Sequence, residues 1–142
     1  MNIYFSCSIT GGRNEEKTYG LMVEAMIAAG YEVPTAHLSS PEVMQMETVV
    51  NPEDVFERDM RWLEGCDAVV AEVSTPSHGV GYEIAMGLNL SKPVLCFYER
   101  GKKVSKILTG NNHPSLVLSE YSSPEEVVDL VLHQLSLLRN RI

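Results

Sequence analysis

Short apolar runs alternate along the chain with longer segments in which apolar residues recur at helical spacing. The apolar runs predict five β-strands, at residues 2–6, 31–35, 68–73, 93–98 and 115–118. The helical segments lie at residues 14–29, 52–65, 80–91, 102–109 and 124–139. Because parallel strands need crossover helices between them, this alternation is typical of an α/β fold with a parallel sheet.

The order of these elements favours one domain over residues 1–142, a length usual for a single domain. We expect a flavodoxin-like, or Rossmann-like, three-layer sandwich with five parallel strands in the order 2-1-3-4-5. Ligands of such sheets bind beyond the carboxyl ends of strands one and three, where the strand order reverses. Functional residues are therefore expected in the loops that follow those two strands.

Both of these loops are rich in glycine and hydroxyl side chains. Residues 6–13 read SCSITGGR, and residues 74–83 read STPSHGVGYE. Glycine lets a backbone approach an anion closely, and the N-terminus of the following helix offers free N–H donors. The same residue types also make tight turns, so either loop alone leaves a purely structural interpretation open. Two such loops at one edge of the sheet favour a pocket for a small anion.

Three common phosphate-site motifs do not match this sequence. Gly79 and Gly81 match the first two glycines of a dinucleotide-binding motif, but Ile84 stands where that motif needs its third glycine. The chain contains no Gly-Lys-Ser/Thr phosphate loop. It also lacks the acidic pair that follows the first strand of a phosphorylated receiver domain. The anion pocket must therefore be of another kind.

Acidic residues occupy three informative positions. Asp59 lies on the apolar stripe of the helix at 52–65, so we expect it to face inward, either as a structural group or in a pocket. Glu83 falls in the first turn of the helix at 80–91, where the helix dipole favours the ionised form. Glu72 lies near the carboxyl end of a strand, where we expect it to hold neighbouring site residues in place and not to take part in the chemistry.

Aromatic and histidine residues give weaker signals. Tyr4 in the first strand has a hydroxyl that can reach the expected crevice, although packing is the usual role of tyrosine in a strand. His37 and His78 lie in polar loops, where solvent exposure is the common outcome and contact with a nucleobase the functional alternative. The remaining large residues in helical segments are interpreted as core: Met22, Met26 and Trp62.

Net charge and cysteine content limit which binding partners and which cellular location we expect. The chain has 11 basic and 19 acidic residues, a formal charge of −8, without a basic cluster. A nucleic-acid polymer or an anionic membrane is therefore excluded as the expected partner. Cys7, Cys66 and Cys96 are widely spaced among apolar residues, which predicts reduced core thiols. The sequence has no leader-like start and no long apolar segment, so we expect a cytoplasmic location.

Four segments carry a resemblance to a known family. They read IYFSCSITGGR at 3–13, DMRWL at 59–63, DAVVAEV at 67–73 and PSHGVGYE at 76–83. Together they closely resemble the 2′-deoxynucleoside 5′-monophosphate N-hydrolases, relatives of the nucleoside 2-deoxyribosyltransferases, over nearly the whole chain. The resemblance implies a flavodoxin-like homodimer that cleaves the N-glycosidic bond of a deoxynucleoside monophosphate. The products would be free base and 2-deoxyribose 5-phosphate, with no metal or cofactor required.

The resemblance also implies roles for individual residues. Glu83 matches the family's nucleophile, which forms a covalent glycosyl intermediate; Asp59 matches the acid that assists the leaving base. Tyr4 matches the hydroxyl that orients the nucleophile and sugar. The serines that match phosphate-binding positions are Ser8, Ser77 and Ser105, of which Ser105 would act in the neighbouring subunit's site. Further candidate substrate-binding residues are Thr10, Gly11, Gly12, Arg13, His37, Gly79 and Gly81.

One position departs from the family pattern, and two other functions stay open. Thr10 stands where family members often have arginine, so Arg13 or Lys106 would have to supply the cation. A nucleoside 2-deoxyribosyltransferase would use the same nucleophile but pass the sugar to a second base, and the phosphate serines favour the hydrolase. A non-catalytic nucleotide-binding or FMN-binding module would leave the inward Asp59 without a function.

Overall fold

The computed structural model describes residues 1–141. In chain order, its strands are β1 (Ile3–Ser6), β2 (Ala68–Glu72), β3 (Val94–Glu99) and β4 (Leu116–Tyr121). Its α-helices are α1 (Glu16–Ala28), α2 (Val43–Thr48), α3 (Pro52–Gly65), α4 (His78–Asn89), α5 (Lys106–Thr109) and α6 (Pro124–Arg139). A 3₁₀ helix occupies Ala36–Ser39.

The sheet is parallel and has four strands in the order β1-β2-β3-β4. Every residue of β1 and β2 is buried, as expected for strands covered by helices on both faces. The predicted α/β fold with a parallel sheet is therefore confirmed. The predicted five strands in the order 2-1-3-4-5 are wrong, because the segment expected as the second strand does not form one.

That segment, 31–35, lies beside β1 but joins it through one isolated bridge, at Glu32. Pro34 has no backbone N–H, so a ladder cannot continue past it. The side chain of Thr35 takes the place of a strand carbonyl, because its Oγ1 accepts a hydrogen bond of 2.9 Å from the backbone N–H of Phe5. The chain then turns into the 3₁₀ helix, and the outer edge of β1 is satisfied without a fifth strand.

Two apolar cores lie on opposite faces of the sheet. One lies under α1 and α6 and includes the fully buried Met22 and Met26, which confirms their interpretation as core. The other lies under α3 and α4, and Trp62 is only partly buried at its margin, so its interpretation as core is wrong in part. Cys7, Cys66 and Cys96 are free and buried, as predicted. Within residues 1–141, no helix combines the length and apolar character needed to span a bilayer.

Capping residues explain where the helices begin. Asn51 caps α3 by accepting a 2.9 Å hydrogen bond from the N–H of Asp54, and Ser123 caps α6 in the same way. Each helix has proline as its first residue, and both match their predicted bounds. The prediction for α4 is wrong by two residues, because Ser77 caps it and the helix begins at His78. The predicted helix at 102–109 shortens to the four residues of α5.

Candidate active site

The loops after β1 and β2 contact each other through their backbones. A Cβ atom at Gly11 would lie 2.5 Å from the carbonyl oxygen of Pro76, so a larger residue cannot occupy position 11 without moving the loop. Gly12 has a φ of +117°, a backbone conformation that favours glycine. Thr75 joins the two loops a second time by donating a 2.7 Å hydrogen bond to Glu15. The glycines of the first loop therefore serve close packing between the loops.

A cavity of about 450 Å³ opens beside these loops, a size usual for a small-molecule site. Asp59 of α3 and Glu83 of α4 both line it. From the candidate substrate-binding residues, three also lie in its wall: Thr10, Ser77 and Gly79. Five candidates line neither this cavity nor the second one described below: Ser8, Gly11, Gly12, Arg13 and His37. The cavity thus brings Asp59, Glu83 and a third carboxylate, that of Glu47, together with hydroxyl groups from both loops.

Glu83 lies in the second turn of α4, because the helix starts at His78. The prediction that the first turn keeps Glu83 ionised is therefore wrong. Burial instead raises the pKa of the Glu83 carboxyl to about 7, while the Ser6 and Tyr4 hydroxyls oppose this rise and the Asp59 charge adds to it. Ser6 donates a hydrogen bond to Oε2 of Glu83. At neutral pH this carboxyl is close to the midpoint of its titration.

Tyr4 lies two residues before Ser6 on β1, so both side chains point to the same face of the sheet. Tyr4 is fully buried, and within residues 1–141 its hydroxyl makes no hydrogen bond of ordinary geometry. Burial raises the pKa of Tyr4, and the nearby Glu83 and Asp59 carboxylates raise it further. The hydroxyl therefore stays protonated and available as a donor beside Glu83.

Asp59 is buried on α3, as its place on the apolar stripe predicts. It accepts a 2.8 Å hydrogen bond from Nε of Arg58. The Arg58 guanidinium also donates to Glu47 at 3.0 Å, and Nε2 of His37 lies 2.8 Å from the same Glu47 oxygen. Arg58 further lies over the ring of Trp62, 5.0 Å from its centroid. His37 is therefore part of a charged network instead of solvent-exposed, and His78 is exposed at the start of α4.

Arg13 is occupied by contacts within its own region. Its guanidinium donates to the Glu16 carboxylate at 3.0 Å and to the backbone carbonyls of Ser8 and Ser40 at 3.3 Å. It also lies 5.4 Å from the centroid of the Tyr19 ring. The side chain is only 10% exposed. These contacts hold the loop after β1 in place. They leave Arg13 poorly placed to supply the positive charge of the arginine that family members often have at the position of Thr10.

Comparison with known proteins identifies the family. The family model described as nucleoside 2-deoxyribosyltransferase matches residues 3–138. The chain belongs to this family. A protein of Methanosarcina barkeri that its name assigns to the 2′-deoxynucleoside 5′-phosphate N-hydrolases is 40% identical over 87% of this chain and 77% of its own length. The 5-hydroxymethyl-dUMP N-hydrolase of Mus musculus is 34% identical over 94% of this chain and 78% of its own.

A solved structure shares the fold of this chain. The structure of the Clostridium botulinum CMP N-glycosidase, BcmB, superposes with a TM-score of 0.71 over 92% of this chain and 97% of that chain, at 14% sequence identity. This likeness concerns the fold. The resemblance that the sequence motifs carry is confirmed by the family match and by the two relatives.

This deoxyribosyltransferase-family chain has a second cavity, of about 790 Å³, on the other side of Ser77. Its wall includes Gly81 and Ser105, the latter capping α5 by accepting a 3.3 Å hydrogen bond from the N–H of Ile107. Lys103 and Lys106 line the same wall and bring positive charge to it. Ile107 is 81% exposed. Ser77 therefore lies between two cavities, one with the carboxylates and one with the lysines.

Glu72 forms a separate, closed cluster behind the site. It is fully buried on β2, and its Oε1 accepts hydrogen bonds from the backbone and side chain of Ser74 and from the hydroxyl of Tyr121. Burial raises the pKa of Glu72 to about 7, and the Glu15 charge adds to the rise. Ser74 also accepts a 2.8 Å hydrogen bond from the N–H of Glu99. The cluster fixes the loop that leads to Ser77.

Sequence reasoning named neither Ser6 nor Glu15 as functional, and it missed Arg58 and Glu47. Ser6 follows Tyr4 by two positions on a strand, and this alternation was a usable signal. Arg58 precedes Asp59 directly, but adjacent helix residues do not normally share a face, so their contact had no signal in the sequence. Glu47 lies in the short α2, which the hydrophobic pattern did not predict.

Proposed function

We propose that this chain hydrolyses the N-glycosidic bond of 2′-deoxynucleoside 5′-monophosphates, releasing the free base and 2-deoxyribose 5-phosphate. The observation that carries the proposal is that Glu83 and Asp59 line one cavity of small-molecule size together with two hydroxyl-rich loops. The names of the relatives support the same chemistry, since one is named for 2′-deoxynucleoside 5′-phosphate N-hydrolase activity and the other is named a 5-hydroxymethyl-dUMP N-hydrolase.

In the proposed mechanism, ionised Glu83 attacks the anomeric carbon of the sugar. The bond between that carbon and the base nitrogen breaks as the glycosyl ester forms, and Asp59 donates the proton with which the base leaves. Water then hydrolyses the ester and gives its released proton to Asp59, which restores both acids and retains the configuration. Deoxyribose suits this route, because a 2′-hydroxyl would withdraw electrons from the positively charged transition state. The Tyr4 hydroxyl is assigned to orientation of Glu83 and the sugar.

We assign the 5′-phosphate to the region of Ser8 and Ser77, where both loops meet. The Ser8 hydroxyl is buried and has no hydrogen-bond partner within residues 1–141, so it is available to an anion once the loop adjusts. Lys106 is the better candidate for the missing cation, since Arg13 is occupied and Lys106 lines a cavity with Ser77. Binding energy from the phosphate positions the sugar for attack.

We extend the proposal to a homodimer in which Ser105 of one subunit serves the phosphate site of the other. The support is apolar surface around the two cavities, since Ile107 is 81% exposed and Phe56 and Tyr82 about half. The last helix, α6, adds less to this surface, because its residues Leu130 and Leu132 pack against the core of the single chain.

Two measurements test this assembly. Light scattering should give about twice the chain mass of 15.8 kDa. Mixing inactive Glu83→Ala and Ser105→Ala chains should restore activity, because the mixed dimer contains one intact site. If Ser105 acts within its own chain, every site in the mixture carries one defect, and no activity returns. A fully active monomer would contradict the shared site.

A substrate panel tests the activity itself. Deoxynucleotides and ribonucleotides, each with and without the 5′-phosphate, are incubated with the protein, and the products are separated by chromatography. We expect free base and 2-deoxyribose 5-phosphate from the phosphorylated deoxynucleotides, with slower cleavage of the other three classes. A second, free base is added in parallel reactions. Faster exchange of bases than hydrolysis would establish the transferase instead, and cleavage of none, with a flavin absorbance band, would establish the FMN module.

A further inference from the structure

Ser6 is a buried serine at the carboxyl end of β1, where it pairs in register with Ala71 of β2. It is fully buried, and its Oγ donates a hydrogen bond to Oε2 of Glu83. The alternation of side chains along the strand places Ser6 on the face that also carries Tyr4. Every residue of β1 is buried and the strand is paired with β2 up to Ser6, so the serine offers Glu83 a fixed point.

The two hydroxyls beside Glu83 make different contacts. Ser6 donates to the carboxylate, whereas the Tyr4 hydroxyl makes no hydrogen bond of ordinary geometry in the described chain. We propose that Ser6 is a positioning residue that holds Oε2 of Glu83 and so presents Oε1 to the sugar. This inference rests on the proposed function, in which Glu83 is the nucleophile.

The contact fits both stages of the proposed reaction. When Oε1 bonds to the anomeric carbon, Oε2 becomes the carbonyl oxygen of the ester and can keep the same hydrogen bond from Ser6. When water releases the sugar, the two oxygens become equivalent again and the carboxylate has not rotated. A nucleophile that is already oriented loses little entropy on the way to the transition state.

The Ser6 hydroxyl also influences the charge of Glu83. A donated hydrogen bond favours a carboxylate over a carboxylic acid, so it lowers the pKa that burial raises. The balance of these effects gives Glu83 a pKa of about 7. The titratable and charged groups that face this carboxyl come from two elements: Tyr4 and Cys7 of β1 and its loop, and Asp59 with its partner Arg58 of α3. Removal of the Ser6 hydroxyl should therefore raise the pKa of Glu83, because burial and the Asp59 charge both raise it and one of the groups that lower it is lost.

The experiment compares four proteins: the parent, Ser6→Ala, Ser6→Thr and the control Ser74→Ala. Ser74 is a suitable control because it is also buried, just beyond the end of the neighbouring strand β2, but bonds to Glu72. Carbon-13 NMR of glutamate-labelled protein follows the Glu83 carboxyl through its titration without substrate, and Glu83→Gln assigns the signal. We expect Ser6→Ala to titrate about one pH unit higher than the parent, with Ser6→Thr restored and Ser74→Ala unmoved at Glu83.

The pH profile of kcat/KM provides the second readout. Its acidic limb should move upward by the same amount in Ser6→Ala, which lowers the rate about tenfold at pH 6, and Ser6→Thr should return it. If Ser6→Ala does not fold by circular dichroism, Ser6→Cys keeps the size and replaces the hydroxyl with a weaker donor, and it should move both readouts in the same direction.

The failures of the two hypotheses can be told apart. If the chain hydrolyses no deoxynucleotide, the NMR titration still reports whether Ser6 controls Glu83. A Glu83 titration in Ser6→Ala that coincides with the parent overturns the proposal even in an active enzyme. An equal shift in Ser74→Ala overturns it too, because the effect would then come from a general loosening of the strand ends.

Discussion

Glu83 and Glu72 offer a comparison within one molecule. Burial raises the pKa of both carboxyls to about 7. Glu83 lines a cavity of about 450 Å³ that contains a second carboxylate, whereas Glu72 is fully buried and lines neither cavity. The main cause is burial in both cases, with a contribution from a neighbouring acid, so a raised pKa does not distinguish a reactive group from a structural one. Access to a cavity of substrate size makes that distinction.

The surroundings of the two glutamates are otherwise alike. Each faces a second acid that contacts a cation: Asp59 bonds to Arg58 at 2.8 Å, and Glu15 lies 3.5 Å from Lys102. The difference lies in what the second acid can reach. Asp59 lines the first cavity, while Glu15 bonds to Thr75 and joins the two loops. One acid pair thus faces the first cavity, and one acid of the other pair joins the two loops.

The largest expected effect separates the two glutamates by activity. Glu83→Gln should lower the rate of deoxynucleotide hydrolysis at least ~10³-fold, because a carboxamide cannot form the glycosyl ester. Glu72→Gln keeps the shape of its side chain and should lower the rate less than about tenfold. Initial rates of base release measure both. Equal losses in the two variants would show that the cavity is not the reacting site.

A smaller effect separates Asp59 from Glu15. Asp59→Asn should slow substrates with poor leaving bases about 10²-fold and activated substrates much less, because assistance to the base matters most when the base leaves reluctantly. Glu15→Gln should slow all substrates by one common factor. The measurement is a plot of log kcat/KM against the pKa of the leaving base. Parallel plots for parent and Asp59→Asn would reduce Asp59 to a positioning role.

The smallest effect concerns stability. The pKa of Glu72 is about 7 in the folded protein against an ordinary value of 4.5, so the folded state binds the proton more tightly than the unfolded state. Stability should therefore fall as pH rises from about 4.5 to about 7 and level off above that range. Glu72→Gln should remove this pH-dependent loss, raising the free energy of unfolding at pH 8 by about 3 kcal/mol, or more than about a hundredfold in equilibrium constant.

Urea denaturation at pH 5 and pH 8 measures this effect. The variant should gain stability at pH 8 and differ little from the parent at pH 5, where Glu72 is protonated in the folded protein. Glu83→Gln is the matched comparison, because its carboxyl has a similarly raised pKa but borders a cavity. A gain at pH 5 as large as that at pH 8 would contradict a raised pKa for Glu72.

Local signals in the sequence predicted part of the fold. The bounds of α3 and α6 were correct, because Asn51 and Ser123 cap helices that begin with proline. The second strand was wrong because one proline and one threonine hydroxyl changed how the edge of β1 is satisfied, and apolar patterning does not register such substitutions. The short α2 was missed because its sequence has no clear helical period.

The site was predictable where it depends on the fold. The strand ends and the inward position on α3 predicted where Glu83 and Asp59 lie, the family resemblance predicted that they belong to one site, and the structure places both in one cavity. The charge state of Glu83 was wrong, because it depends on a two-residue shift in the start of α4 and on burial that no local pattern reports. The network of His37, Glu47 and Arg58 depends on tertiary packing and had no sequence signal.

The close approach at Gly11 has a consequence for how the site opens. Main-chain atoms of the two loops are in van der Waals contact there, and Thr75 with Glu15 joins them again, so these loops can only move as one body. Entry of a nucleotide and departure of its base must then use the opposite wall, formed by α2, α3 and the turn between them. The passage of molecules through the site is thus governed by the wall that carries Asp59, whereas the two joined loops stay closed.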